Sequence, residues 1–371
     1  MIAVIHAYSR HNAGDGLLVD LTLRRLAGAG VRVEDCVVLS MDPPSFADLP
    51  HVVKIGTRGR SADLETATAA VTGAATVLGA RVPTLAAGKA ARALRDAEAY
   101  VAVGGGYLRA GTRTNVIGTA INHLPQLEAA AASGRPSIYL PQSVGPLTGR
   151  VGDRVRTLLH RMSSVHLRDD RSMVEVGGGA TIHRTGDLAV LELADRLEQV
   201  HPQEVPGSPV IVARALTDAP TYHERLRRLA ELLGDARWGV QAEGDSTKSD
   251  RVFYTDTLHV EPAGRVAELL AGPEPGPVVS VRLHGALQSL LAGVPAVHLG
   301  YERKSWGAYA DLGLSRWVHS ARGFDPELVA AQVRELAVDA GPFWAAVGER
   351  AGALRASSEA LTDELARRLG R

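Results

Sequence analysis

The sequence predicts an α/β protein of two doubly wound, Rossmann-like domains facing each other across a cleft. Three observations carry that expectation. Short apolar runs alternate with longer amphipathic ones along the chain, which is the rhythm of parallel strands joined by crossover helices. The strand-type runs are apolar at consecutive positions, as strands covered on both faces are. The 371 residues exceed one comfortable core, and they divide at a polar, proline-bearing stretch, "LADRLEQVHPQEVPGS", Leu193–Ser208.

The first domain is expected over residues 1–200. It opens with the strand "IAVIHA" and the helix "GLLVDLTLRRLAGAG". The strand "VRVEDCVVL" and the helix "SADLETATAAVTGAATVLGA" follow, then "AYVAVGGG", a strand running into glycines. The helical run "NVIGTAINHLPQLEAAAASG" leads to the strand "PSIYLPQ", the helix "RVGDRVRTLLHRM", and the strands "SVHL" and "ATIHR". A second domain is expected over residues 201–340, with strands at "PVIVARA", "RWGVQAEG", "DTLHV", "PVVSV" and "PAVHLG" and helices at "YHERLRRLAELLG", "GRVAELLAG" and "HGALQSLLAG". Residues 341–371 read as one long amphipathic helix or two short ones. Their mixed charges favour packing back on the first domain; a homo-oligomer contact or a membrane contact are the alternatives.

Lysine plus arginine and aspartate plus glutamate balance at 41 each, so no overall field draws nucleic acid or an anionic bilayer, and any anion site must be local. Cys36 is the only cysteine and sits in an apolar run, as a buried strand residue would, so no disulfide framework exists within the chain. The opening residues lack the pattern of a signal peptide, and no apolar run reaches the length of a membrane span. The expectation is a cytoplasmic protein, in solution or at the inner face of the membrane. The histidines show no metal-binding spacing, so neither a metal nor a cofactor is expected.

In doubly wound sheets ligands bind beyond the carboxyl ends of the strands, so the residues that follow each strand carry the information. After the first strand comes "SRHNAGDG", where Asn12 or Asp15 can cap the next helix and Gly14 and Gly16 permit a tight turn. A capped turn without a ligand explains the segment equally well. After "AYVAV" come Gly104, Gly105 and Gly106, then Tyr107, Arg109 and Arg113; consecutive glycines let a ligand approach the backbone. The spacing is neither that of a dinucleotide fold nor that of a P-loop. "PQSVGP" places Gln142 between Pro141 and Pro146 in what reads as a rigid loop. "RDDRS" sets Arg168 ahead of a helix that Asp169 or Asp170 would cap; the arginine suits a carboxylate or phosphate, or an ion pair with Asp169 or Asp187. His123 lies on the helix after the glycines, as a structural residue or a ligand contact.

The most informative stretch is "PVVSVRLHGALQSLLAGVPAVHLGYERK", Pro277–Lys304. A strand ends at Arg282 and a helix begins near His284, closed by Gly293 and Pro295. Arg282 and His284 thus sit at a helix N-terminus, where free N–H groups and the positive dipole end point the same way. Two bare cations there call for an anion, and Lys304, after the next strand, is a further candidate for the same site.

Together "NAGD", "GGGYL", "PQSVGP", "RDDRS" and the Pro277–Lys304 stretch resemble, in this order, the polysaccharide pyruvyl transferase family. The resemblance implies two domains of the glycosyltransferase-B kind, phosphoenolpyruvate as donor and a saccharide as acceptor. It implies His284 in the catalytic position, with Arg168 and Arg282 on the donor's phosphate and carboxylate beside the Leu283 backbone. Lys304, Gly105, Gly106 and Gln142 are the further donor-side candidates; Asn12, Asp15, Tyr107 and His123 are the acceptor-side ones. Tyr107, and the Gly16 that follows Asp15, depart from the commoner family pattern and bear on the acceptor pocket.

The implied chemistry suits these residue types. An acid protonates the methylene carbon of phosphoenolpyruvate, one sugar hydroxyl attacks the resulting oxocarbenium-like centre, and a second displaces phosphate to close a cyclic ketal. Two other readings compete. One is a glycosyltransferase using a nucleotide sugar, since "HGALQSLLAGVPAV" also suits a diphosphate at the helix mouth. The other is a non-catalytic protein of polysaccharide assembly with the same fold. Whether the acceptor is lipid-linked is open at this point.

Overall fold

The structure, a computed structural model, describes residues 1–56, 88–200, 202–217, 219–243, 249–301 and 304–371. The helix expected at "SADLETATAAVTGAATVLGA" lies outside them, as does the side chain of Lys304. The chain forms two compact units. Unit 1 comprises Met1–Arg10, Leu18–Leu188 and Glu359–Arg371, and unit 2 comprises His11–Leu17 and Ala189–Ser358.

Unit 1 is built on an eight-stranded sheet of β1 (Ile2–Ala7), β2 (Cys36–Ser40), β3 (Val52–Lys54), β4 (Ala99–Ala102), β5 (Gly105–Leu108), β6 (Ser137–Val144), β7 (Ser164–Leu167) and β8 (Ile182–Arg184). Its order is β3-β2-β1-β4-β6-β7-β8, with β5 paired to β6, and every pairing is parallel. The strand order reverses between β1 and β4, so the switch-point crevice lies beyond the ends of those two strands. Val4, Ile5, Val101 and Leu140 are fully buried, in line with the uninterrupted apolar runs.

The helices that follow these strands are α1 (Ala13–Gly28), α2 (Lys89–Asp96), α3 (Arg113–Asn122), α4 (Leu124–Ala132), α5 (Gly149–Leu159) and α6 (Asp170–Val176). Thr112 caps α3 by accepting from the Asn115 N–H at 3.2 Å, and Asp169 caps α6 by accepting from Ser172 N–H at 2.8 Å. Of the two aspartates expected as the α6 cap, it is therefore Asp169 that acts.

Unit 2 carries a six-stranded parallel sheet: β9 (Val210–Val212), β10 (Arg237–Val240), β11 (Gly264–Arg265), β12 (Val278–Ser280), β13 (Ala296–Gly300) and β14 (Val318–Ser320). The order is β11-β10-β9-β12-β13-β14, and the reversal falls between β9 and β12. Its helices are α7 (Leu188–Arg196), α8 (Tyr222–Leu233), α9 (Val266–Leu270), α10 (Leu283–Leu291), α11 (Lys304–Asp311) and α12 (Pro326–Val338). Residues 341–371 form essentially one helix, α13 (Gly341–Leu369). No described helix is long and apolar enough to cross a membrane.

Three expectations of local structure change. "DTLHV" is no strand: Phe253–Leu258 winds as a π-helix, and the Tyr254 hydroxyl donates to the Gly239 carbonyl at 2.8 Å, fixing that turn beneath the sheet. The glycine run is not a loop, because Gly105–Leu108 pairs with β6 as a strand. "PQSV" is likewise strand, since β6 continues through Pro141 and Gln142 to Val144 with a register shift between Tyr139 and Gln142. Such a bulge absorbs the missing N–H of a proline.

Candidate functional site

Unit 2 assembles its polar groups at the mouth of α10, just past β12 and so at the sheet's switch point. Arg282 is the N-cap residue, in extended conformation, and its N–H donates to Ser280 Oγ at 3.2 Å. Gly285 and Ala286 return their N–H groups to the Arg282 carbonyl, so Leu283 and His284 supply the first-turn N–H groups that have no acceptor within the helix. Ala292 closes α10, and Gly293 follows with φ +78°, where glycine is free of steric cost.

The "HNAGD" stretch packs in the same unit. Asn12 forms an antiparallel bridge with Ala242, the Ala13 N–H donates to the Gln241 carbonyl at 3.1 Å, and the Glu243 N–H donates to the His11 carbonyl at 2.9 Å. Asn12 Oδ1 accepts from Gly14 N–H at 3.2 Å, and Asn12 Nδ2 donates to Asp15 Oδ2 at 2.8 Å. Asn12 is thus the residue that satisfies the opening turn of α1. A Cβ on Gly14 would lie 2.9 Å from His284 Cβ and 3.1 Å from Nδ1. The imidazole of His284 is therefore seated on the Gly14 backbone, and any side chain at position 14 would displace it. Asn12, Asp15, Arg282, Leu283 and His284 are brought together by this packing.

Arg282 is not a bare cation, which corrects the expectation drawn from its helix-mouth position. Its Nε donates to both Asp250 oxygens at 3.0 and 3.1 Å, and Nη2 adds a further bond to Oδ1. Asp250 is fully buried and also accepts from the N–H groups of Gln241 and Ala242, at 3.0 and 2.8 Å. Burial opposes the Arg282 charge, but Asp250, through its own charge and hydrogen bonds, outweighs it and raises the guanidinium pKa. The acid fixes the guanidinium in place and balances its charge within the fold. Arg282 therefore does not itself require an anion.

In unit 1, Arg168 follows β7 and is likewise paired. Its Nη1 donates to Asp187 Oδ2 and its Nε to Ser143 Oγ at 3.0 Å, with both members of the ion pair almost wholly buried. The intramolecular alternative weighed for Arg168 is the one found, with Asp187 as partner. Removing one member of such a pair typically costs about 3–5 kcal/mol, because the other stays buried and uncompensated.

Gln142 is buried, and neither of its amide atoms has a hydrogen-bond partner among the described residues. An orphan of this kind costs about 1–3 kcal/mol unless a ligand or water meets it. Gly104 is demanded by packing: a Cβ there would sit 2.6 Å from the Pro141 carbonyl oxygen. Gly105 has φ +154°, and Gly105 and Gly106 belong to β5. Arg109 turns back on this strand, its Nε donating to the Gly106 carbonyl at 2.7 Å. Arg113 is exposed at the start of α3.

Tyr107 and His123 meet at the β1–β4 switch point, against a residue that was not among the candidates. His6, near the end of β1, is buried and holds φ +68°, a left-handed backbone that costs a non-glycine residue roughly 1–2 kcal/mol. Its N–H donates to Gln126 Oε1 at 2.9 Å, its Nε2 is hydrogen-bonded to Tyr139 Oη, and its Nδ1 lies 3.2 Å from His123 Nδ1. The Tyr107 ring stands 4.7 Å from that of His6 and stacks at 4.8 Å on that of His123, while its hydroxyl donates to the Val103 carbonyl at 2.6 Å. Desolvation lowers the pKa of His6 well below the usual histidine value, with His123 adding to the effect, and lowers that of His123 to about 3. Burial likewise pushes both tyrosines well above the phenol range. At neutral pH this is a neutral, hydrogen-bonded cluster. A histidine closing an apolar strand, as in "IAVIHA", was the only signal available.

Among the described residues there is no group of three or more His, Cys, Asp or Glu side chains placed to hold a metal ion.

The family model for polysaccharide pyruvyl transferase matches residues 12–254. The chain belongs to the polysaccharide pyruvyl transferase family. The match takes in "NAGD", the glycine run, "PQSVGP", "RDDRS" and Asp250, and it ends before Arg282. Membership implies a transferase role in polysaccharide modification. No curated protein sequence matches the chain. Among solved structures it is similar to Anabaena Alr3699/HepE in complex with UDP and glucose, at TM-score 0.53 and 14% identity over 100% of this chain and 98% of that one. It is similar also to Phytolacca americana UGT2 complexed with UDP-2fluoro-glucose and pterostilbene, at TM-score 0.50 and 13% identity over 100% and 99%. At such identities the likeness concerns the fold: two Rossmann-like domains of the glycosyltransferase-B kind.

Proposed function

We propose that this pyruvyl transferase family member moves the pyruvyl group of phosphoenolpyruvate onto two hydroxyls of a saccharide, forming a pyruvate ketal and releasing phosphate. The observation that carries the reading is His284, seated on Gly14 at the mouth of α10 in a chain of this family.

His284 gives a proton to the methylene carbon of phosphoenolpyruvate, and positive charge develops at the adjacent carbon. The first sugar hydroxyl adds there and loses its proton. The second adds as the carbon–oxygen bond to phosphate breaks, and phosphate leaves with that bond's electron pair. One proton gained at carbon and one taken up by phosphate balance the two lost by the hydroxyls. An imidazole is among the side chains that transfer protons in this way.

The donor's anionic groups meet the N-terminal turn of α10 at Leu283 and His284, the positive end of that helix and the guanidinium that Asp250 holds in place. Lys304 and Arg168 are assigned to the donor as well, Arg168 as a neutralised pair whose charge is shared with Asp187. The orphan amide of Gln142, with the Gly105 and Gly106 backbone, is assigned to a ligand contact on the same side of the reaction. Asn12, Asp15, Tyr107 and His123 are assigned to the acceptor. The scheme draws on no metal or cofactor. The working place is the cytoplasm, with a free or lipid-linked saccharide as acceptor.

Incubation with phosphoenolpyruvate and a panel of saccharides, followed by mass spectrometry, tests this. The expected result is the pyruvate-ketal mass increment with equimolar phosphate release. Glycosyl transfer from a nucleotide sugar, with no reaction of phosphoenolpyruvate, would select the glycosyltransferase reading; no product from either donor would select a non-catalytic role.

A further inference from the structure

Asp250 balances Arg282, so the mouth of α10 holds a fixed guanidinium whose charge is already matched by an acid. A donor with a carboxylate and a phosphate calls for a cation that no acid has matched. The strand register of unit 2 shows where one stands. The sheet reverses between β9 and β12, and these neighbours pair Val212 with Ser280. Arg214 lies two residues beyond Val212, and Arg282 lies two residues beyond Ser280. The two arginines therefore leave adjacent strand ends at the same level, at the place where an open parallel sheet binds ligands.

We propose that Arg214 binds an oxyanion group of the donor, its phosphate or its carboxylate, with the Nε–Nη2 edge of a guanidinium that Tyr301 holds from the other side. This deepens the pyruvyl-transfer reading and rests on it.

The contacts of Arg214 favour that role. Its Nη1 donates to the hydroxyl of Tyr301, the residue after β13, at 2.7 Å, and its guanidinium carbon lies 5.1 Å from the centre of that ring. Two attachments to one side chain fix the plane of the group. They leave the Nε–Nη2 edge, which can form two parallel bonds with a carboxylate or phosphate. Arg282 commits this same edge to Asp250. Among the described residues no acid lies within ion-pair distance of Arg214, and its buried Nε has no hydrogen-bond partner. A buried donor left in this way costs stability, which an oxyanion at that edge recovers.

The charge excess is local. The charges of Asp250, Arg214 and Arg282 all act on the buried hydroxyl of Tyr222, which donates to the Arg214 carbonyl at 3.0 Å, and the Arg282 charge also interacts with Tyr301. Two guanidiniums facing one carboxylate leave a positive charge over. Arg322 donates from Nη1 to the Tyr301 carbonyl at 2.9 Å, but it is exposed, so water and salt screen it. Arg214 touches the donor and is a binding residue; Tyr301 acts through it and is a positioning residue.

Calorimetric titration of the full chain with phosphoenolpyruvate, inorganic phosphate and pyruvate tests this. Arg214→Ala should weaken phosphoenolpyruvate binding about 10–100-fold. Arg214→Lys, which keeps the charge and loses the fork, should still lose about tenfold. Tyr301→Phe should lose about threefold or more with little change in melting temperature. Arg322→Ala, which removes only an exposed charge, should change affinity by less than about threefold. A parallel loss for phosphate or for pyruvate identifies the group in the fork. Phosphoenolpyruvate affinity retained within about threefold in Arg214→Ala, or an equal loss in Arg322→Ala, would overturn the proposal. Should Arg214→Ala not fold, Arg214→Lys decides by the same threshold. If wild type binds phosphate without phosphoenolpyruvate and forms no ketal, pyruvyl transfer fails, and the fork is judged on phosphate alone. A wild type that binds none of the three anions refutes both.

Discussion

The two units each gather polar side chains at the switch point of a parallel sheet, and they bury them in opposite ways. Unit 2 uses charge: Arg282 is clamped by the buried Asp250, and His284 lies in the first turn of α10. Unit 1 uses neutral rings: His6, His123, Tyr107 and Tyr139 satisfy one another without an ion pair at their centre. The contrast shows what each arrangement suits. A fixed, charge-balanced guanidinium beside a helix mouth recognises an anion by geometry. A neutral cluster carries no charge with which to attract an anion.

Four perturbations would break or sharpen that contrast. The largest effect is expected from His284→Ala, which should lower ketal formation by about 10²–10⁴-fold with little change in melting temperature, read by phosphate release. A comparable loss of melting temperature instead would make His284 structural. Next, Asp250→Ala leaves Arg282 buried without its acid and takes an acceptor from Gln241 and Ala242 N–H. It should cost about 3–5 kcal/mol in urea unfolding. A neutral outcome would mean that the pair contributes nothing to holding α10.

Gly14→Ala should cost less, about 1–3 kcal/mol, while displacing His284 and reducing turnover well beyond what that destabilisation explains. Unchanged turnover would show that the His284 position is not set by Gly14. The smallest effect is a pH slope. His6 and His123 have lowered folded-state pKa values, so the unfolded chain binds protons first as pH falls below about 6.5. Stability should drop by up to about 1.4 kcal/mol per pH unit for each histidine, down toward pH 3 for His123. Urea midpoints at pH 7 and pH 5 measure this, and His6→Asn should flatten the slope; equal slopes would contradict the buried neutral pair.

The alternation of apolar and amphipathic runs carried the fold class, because strands covered on both faces leave an uninterrupted apolar signature. Short edge strands such as β3 and β14 left none, having three residues each. The helix mouth at Arg282 and His284 was legible since strand, cation, imidazole and helix are contiguous in sequence. Its charge balance was not: Asp250 lies 32 residues away, and only the three-dimensional path brings it to Arg282. The partner of Arg168 was legible because Asp187 follows the very next strand. The His6–His123 contact spans 117 residues, and no periodicity announces a left-handed histidine. Nor does any pattern announce that His11–Leu17 pack within unit 2, where Gly14 meets His284.

The central claim is that the mouth of α10 in unit 2 takes phosphoenolpyruvate. Calorimetric titration of the full chain with phosphoenolpyruvate, and in parallel with UDP-glucose, tests it most directly when repeated on Gly14→Ala and His284→Ala. The account predicts saturable binding of phosphoenolpyruvate to wild type, competed by inorganic phosphate and weakened in both variants, with no comparable affinity for UDP-glucose. Tight binding of UDP-glucose with none of phosphoenolpyruvate, or phosphoenolpyruvate affinity unaltered in both variants, would contradict it.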